Sequence, residues 1–434
     1  MTAQIASQPA PPFRLAGRLQ ALRAWRYEGG KRDLRLDLLR GFAVFAMVID
    51  HIGGENSPFY LLTGGNRFFF SAAEAFVFLS GLLMGMINGG LIRRGDIGEA
   101  LTRVLRRAGM LYTLTVGLTA VVALLPLLLG LSWAPRLQGE SVIDFIVGVL
   151  TLHRSTYLVD VMLLYTLLVL AAEPVLLLLK YGYTWLVLAA SWGLWLVWQG
   201  WPQSADVWPI PGDELFTVAA WQVLFMTALV IGYHRRKLEQ AFQAIASPQA
   251  LLLSGLVLAS FIALYAARLA PLTALTGADR ATVTEWLFAK DDVAPGRIVA
   301  FAAFFVFAYA LLTLAWQPLV HGLGWLLLPF GQNALSAYVT HIFVVGLADW
   351  LHPVAFRSPE TPLTVALYQL AGILIVWATI RFRPLVASSL EHLESAWALV
   401  PAVTSGITVL DAEPLALEVR LAQAQARQGV DMLR

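Results

Sequence analysis

Residues 36–52 read LDLLRGFAVFAMVIDHI, an apolar run of bilayer-crossing length with ionisable residues gathered at its two ends. At 100° per residue, Asp37, Arg40 and His51 fall within about 60° of one another, on one helical face. Arg40 and His51 are separated by about 16 Å at 1.5 Å of rise per residue, so one belongs near each membrane surface. Asp50 points about 100° away from His51 in a regular helix, and can orient the imidazole if the helix end unwinds.

The rest of the chain has the same character. Of 434 residues, 58% are hydrophobic and 13% charged, with mean hydropathy +0.69. A soluble domain carries about 25% charged residues, so a soluble enzyme, a nucleic-acid binder and a disordered chain are excluded. A polytopic all-α membrane protein remains. The chain has no Cys, which rules out disulfides, thiolate metal sites and an acyl-cysteine. Ten apolar spans are expected, near 36–52, 68–88, 109–131, 157–179, 183–199, 215–233, 250–267, 298–316, 323–348 and 363–380. A short apolar piece at 141–152 reads as re-entrant or interfacial. Residues 1–35 hold seven Lys/Arg interleaved with apolar residues and read as a basic amphipathic segment on the cytoplasmic leaflet. Residues 36–387 form the membrane domain, and 388–434 a cytoplasmic tail. With both termini inside, inner segments carry 18 Lys/Arg and outer loops 8, in line with the positive-inside rule. The expected location is the plasma or inner membrane, in contact with its lipids.

Charged residues and His occur only in spans one, two, four and nine. Each costs a few kcal/mol in a bilayer, so these four spans are expected to face one another. Glu74 lies in FFFSAAEAFVFLSGLLMGM, with Arg67 just before the span as a candidate partner. Ser80, Gly81 and Gly85 form a small-residue stripe suited to close helix packing. Asp160 opens span four, and His341 sits in the outer half of span nine. Asp50, His51, Arg67, Glu74, Asp160 and His341 therefore gather outside, while Arg40 with Arg103, Arg106 and Arg107 makes a positive entrance inside. Five tryptophans (Trp192, Trp195, Trp198, Trp201, Trp208) read as an interfacial belt or as a platform for a sugar face.

The runs RDLRLDLLRGFAVFAMVIDHI and NRFFFSAAEAFVFLSGLLMG resemble the OpgC family, as do HRSTYLVDVMLLYTLLVLAAEP and the more degenerate FGQNALSAYVTHIF. These are integral-membrane proteins associated with succinyl substitution of osmoregulated periplasmic glucans, within a wider group of ten-helix membrane acyltransferases. The resemblance implies an acyl-CoA donor, succinyl-CoA among the candidates, with no tightly bound cofactor. It also implies a hydroxyl acceptor on an extracytoplasmic glycan. On this sequence Arg40 and His51 take the positions of the family's Arg–His pair, and Glu74 its acidic position. The loop GGENSPFYLLTGGN departs from the pattern.

The chemistry expected on that basis uses His51 as base, with Asp50, or an acid of span two (Glu74) or span four, stabilising the imidazolium. Arg40, Arg103, Arg106 and Arg107 would hold donor phosphates, and Arg67, Asp160 and His341 would contact substrate. A transporter or flippase could use the same outer His and carboxylates as a proton relay. A non-catalytic scaffold would tolerate loss of His51 and Glu74.

Overall fold

Every regular element among the described residues is a helix, the local structure that satisfies its own backbone in apolar surroundings. The structure, a computed structural model, describes residues 24–30, 32–53, 57–65, 69–129, 141–156, 158–211, 215–355 and 361–382. Arg67, most of the N-terminal basic segment and the expected C-terminal tail lie outside those residues. The long helices are α1 (Leu34–Ile52), α2 (Ala72–Arg94), α3 (Ile97–Leu129), α4 (Asp160–Lys180), α5 (Thr184–Gly200) and α6 (Val218–Tyr233). They continue with α7 (Pro248–Ala266), α8 (Pro295–Leu314), α9 (Trp316–Gln332), α10 (Ala334–Ala355) and α11 (Pro362–Arg381). Seven of these (α2, α3, α4, α7, α8, α10 and α11) are long and apolar enough to cross a membrane by length and composition. The short apolar piece at 141–152 forms a separate helix, Val142–Leu150.

One expectation is corrected. The ninth apolar run is two helices, α9 and α10, divided at Asn333, whose backbone leaves the helical region at φ −125 and ψ 37. Pro329, within α9, removes a backbone donor and favours such a break. The two pieces still follow one course beside α1. The Gln317 N–H donates to the Trp25 carbonyl at 3.0 Å, and Tyr27 meets Trp316 edge-on at 4.9 Å. Further along, Gly41 meets Gly331, and His51 meets His341, 290 residues away in sequence. α1 and the α9–α10 pair therefore run in parallel. A Cβ at Gly41 would strike the Leu327 carbonyl, and one at Gly331 the Asp37 carbonyl, so glycine on both helices permits this approach.

The second close pair is α2 with α6. Gly85 faces the Leu229 carbonyl and Gly232 the Leu82 carbonyl, so the small-residue stripe of α2 lets the two backbones touch. Phe225 and Trp221 of α6 are fully buried in the core this creates. These two pairs, with α4 and α8 between them, frame the site.

Candidate functional site

His51 occupies the last turn of α1, and its Nδ1 lies 2.9 Å from Nε2 of His341 on α10. His341 is 1% exposed, and its own Nδ1 lies 2.8 Å from the Tyr338 carbonyl. A carbonyl only accepts, so Nδ1 of His341 carries the hydrogen, and Nε2 of the neutral ring is the acceptor. The donor to it is then Nδ1–H of His51. That hydrogen bond fixes the His51 tautomer and makes Nε2 its basic nitrogen.

His51 lines a cavity of about 190 Å³ whose walls come from elements far apart in sequence. α1 gives Met47, Asp50 and His51, and the start of α2 gives Ser71 to Ala73. The lead-in to α4 gives Leu158 and Asp160, α10 gives Tyr338, and the segment before α8 gives Lys290. The Asp50 carboxylate accepts from the Thr63 hydroxyl at 2.7 Å, and Asp160 accepts from the Val161 N–H at 2.8 Å. The Tyr338 hydroxyl donates to the Leu158 carbonyl at 2.6 Å. Leu158 has φ 71, a region that non-glycine residues enter at a cost of about 1–3 kcal/mol.

Glu74 is fully buried behind this cavity. Its partner is Arg297 in the first turn of α8, itself 4% exposed, whose Nε lies 2.7 Å from Oε1. Nη2 of Arg297 also reaches Oε1, and the Ser71 N–H donates to Oε2 at 2.9 Å. Arg297 and Lys290 carried no role in the sequence reading, whose expected spans leave both in the loop between spans seven and eight. The one local signal was Pro295 followed by Gly296, a helix start that puts Arg297 in the first turn of α8. Burial lowers Lys290 from the ordinary lysine pKa. Glu74, Asp160 and Asp50 oppose that shift, and Arg297 adds to it.

The N-terminal half of α1 is built differently. Arg40 donates from Nε to the Gly331 carbonyl at 2.8 Å and from Nη2 to the same oxygen. Gly331 lies in the last turn of α9, where carbonyls lack intrahelical donors, so Arg40 caps the break in span nine. Arg40 also lies within electrostatic range of Arg107, Asp37, Arg32 and Tyr165. Arg107 stands 5.9 Å from the Tyr165 ring centroid. Arg103 pairs with Glu99 at the exposed surface, and Arg106 is exposed. An aromatic column joins the two ends: Tyr165 meets Phe76, Phe76 meets Tyr338, and Tyr338 meets His341 at 5.0 Å.

The expected tryptophan cluster divides. Trp195 and Trp198 are buried and donate to the Val293 carbonyl and the Asp292 carboxylate. Trp208 donates to the Leu152 carbonyl and stacks on His153, while Trp201 is exposed. The indole N–H groups of Trp195 and Trp198 are thus directed at the segment that carries Lys290.

The fold and site define a helical membrane protein in which a buried histidine, His341, holds a half-buried one, His51, on a small, charge-lined cavity. The chain belongs to the OpgC family: the family described as OpgC protein matches residues 32–385. Membership points to a membrane acyltransferase-type function on glucans. No curated protein and no solved structure matches the chain.

Proposed function

We propose that this protein is a multi-pass O-acyltransferase of the inner membrane that moves an acyl group, succinyl being the first candidate, from cytoplasmic acyl-CoA to a hydroxyl of an extracytoplasmic glucan. The observation that carries the reading is the His51–His341 hydrogen bond, which prepares a neutral imidazole with a defined basic nitrogen at a cavity. His51 Nε2 takes the proton of the acceptor hydroxyl as its oxygen attacks the thioester carbonyl carbon. The carbonyl π pair moves onto oxygen. When it returns, the C–S bond breaks and the thiolate takes the proton from His51. Asp50 and Asp160 stabilise the imidazolium between these steps. Arg40 and Arg107 face the cytoplasmic donor, with Arg103 and Arg106 nearer the surface.

The ten-crossing arrangement with both termini inside counts α9–α10 as one passage. Reporter fusions after residues 95 and 236 are then expected inside, and fusions near 138 and 285 outside. The activity itself is tested by incubating purified protein with acyl-CoA and glucan and weighing the glucan by mass spectrometry. An added acyl mass that is lost in His51→Ala supports the reading. Unmodified glucan with intact acyl-CoA would overturn it, as would full activity of the variant.

A further inference from the structure

Lys290 lines the same cavity as His51, yet it arrives from a segment with no regular structure, residues 289–294 between the helix Arg280–Phe288 and α8. A lysine side chain carries about 2 kcal/mol of rotamer entropy, so a lysine that keeps one position needs a held backbone. This segment is held on both sides. Upstream, Nη1 of Arg297 donates to the Phe288 carbonyl at 3.4 Å, and the guanidinium is anchored in turn on buried Glu74. Downstream, Nε1 of Trp198 donates to Oδ1 of Asp292 at 2.7 Å, and Nε2 of Gln199 donates to the Asp292 carbonyl at 2.7 Å. Nε1 of Trp195 donates to the Val293 carbonyl at 3.1 Å. The Lys290 ammonium stands 5.5 Å from the Phe216 ring centroid, a second wall of the cavity.

Val293 gives these bonds their meaning. It is β-branched, fully buried, and has φ 47, a left-handed conformation that costs about 1–3 kcal/mol and persists only when its surroundings impose it. The opposite rim repeats the device. Leu158 also has positive φ, and its carbonyl also accepts from an aromatic donor, Tyr338. Leu158 lines the cavity itself, and Val293 lies three residues beyond Lys290, which lines it too.

We propose that Lys290 is a further catalytic residue, the cation that receives the oxyanion of the tetrahedral intermediate, and that Trp195 and Trp198 are the residues that position it. This rests on the acyl-transfer reading. An ammonium is a compact charge with three donors, suited to an oxygen that becomes anionic only in the transition state. Lys290 keeps its proton throughout: the carbonyl pair moves onto oxygen beside the ammonium, then returns as the C–S bond breaks.

The test compares Lys290→Gln, Lys290→Arg, Trp195→Phe and Trp198→Phe in the full-length purified protein. Lys290→Gln is expected to lower kcat by about 10²–10³ with KM for acyl-CoA and glucan unchanged, and Lys290→Arg to restore part of it. Trp198→Phe removes one hydrogen bond to a charged group and is expected to lower kcat by about tenfold. In wild type, transfer falls as pH rises through the lowered Lys290 pKa and the ammonium discharges. Glu74, Arg297, Asp160 and Asp50 are the charged groups within its electrostatic range, and His51 is the titratable group that shares its cavity. That alkaline limb is absent from Lys290→Gln and displaced in Trp198→Phe. A second measurement needs no turnover. Lys290 is labelled with an amine-reactive reagent and mapped by peptide mass spectrometry, with Lys180 and Lys237 as internal references. Labelling of Lys290 is expected to be several-fold faster in both Trp variants and unchanged in His51→Ala. Lys290→Gln with most of the wild-type kcat, or a loss confined to KM, overturns the catalytic role. Labelling unchanged in both Trp variants overturns the clamp. If wild type transfers nothing while Lys290 labelling still responds to the Trp variants, the acyl-transfer reading and the oxyanion role fail and the clamp stands.

Discussion

α1 and the α9–α10 pair lie side by side along their shared course, yet their two ends are put to different use. At the C-terminal end of α1 His51 and His341 share one hydrogen, and the bond makes Nε2 of His51 the basic nitrogen. Toward its N-terminal end Arg40 gives two N–H groups to the Gly331 carbonyl, which the break at Asn333 exposes. In the sequence the two residues look equivalent, as ionisable groups on one helical face. The structure separates them by what they meet. A side chain that meets another titratable side chain can take part in chemistry, whereas one that meets an orphan carbonyl is first a structural tie.

That contrast can be broken most directly at His51. His51→Ala should lose acyl transfer by about 10²–10⁴-fold, the usual worth of general-base catalysis, with acyl-CoA affinity by calorimetry unchanged. Near-normal transfer would remove the chemical meaning of the His51 end. The Glu74–Arg297 pair supports that end from behind. Glu74→Gln leaves a buried guanidinium short of its counter-charge and should cost about 3–5 kcal/mol, read as a lower midpoint in thermal unfolding of the detergent-solubilised protein. Glu74→Leu combined with Arg297→Met should recover much of that loss, because the unpaired charge is gone.

A smaller effect is expected at His341. His341→Phe removes the acceptor that fixes the His51 tautomer. A hydrogen bond to a group that becomes charged is worth about 1.5–3 kcal/mol, so kcat should fall by about tenfold to 10²-fold with KM retained. If kcat and KM move together, His341 contacts substrate rather than His51 alone. The smallest change is expected for Arg40→Lys, toward the other end of α1. Lysine keeps the charge and loses the fork that reaches Gly331, at a cost of about 1 kcal/mol in stability. Acyl-CoA affinity should then fall no more than stability does. A large selective loss of affinity would show that the donor needs the guanidinium fork of Arg40 and not its charge alone.

How far the site could be read from the sequence follows from where each partner lies. His51, Asp50 and Asp160 were legible because each is an ionisable residue within or at the edge of an apolar run. The cavity does bring them together, with α2 and α10 contributing as the confinement of charge to spans one, two, four and nine implied. The His51–His341 bond was not legible, since its members lie 290 residues apart and their meeting depends on which helices are neighbours. Glu74 was expected to need a cation, but Arg297 was read as a loop charge because its place in the first turn of α8 depends on where that helix begins. The tryptophans of α5 read as a surface feature because their period is interfacial. Only the packing of residues 289–294 against them turned two indole N–H groups inward.

The sequence by itself determined that this is an all-helical membrane protein, that the ionisable residues within its apolar runs are confined to a few of them, and that one histidine stands at a helix end. Those properties are local: an apolar run must satisfy its own backbone in lipid, and charge inside it is too costly to be incidental. The tertiary structure decided the rest. It paired α1 with α9–α10 through facing glycines, divided span nine at Asn333, matched Glu74 to Arg297, and carried Lys290 to the cavity on a segment held at buried, strained Val293. Each of these depends on which surfaces lie within hydrogen-bonding distance, and distances between remote segments are set by packing across the whole bundle.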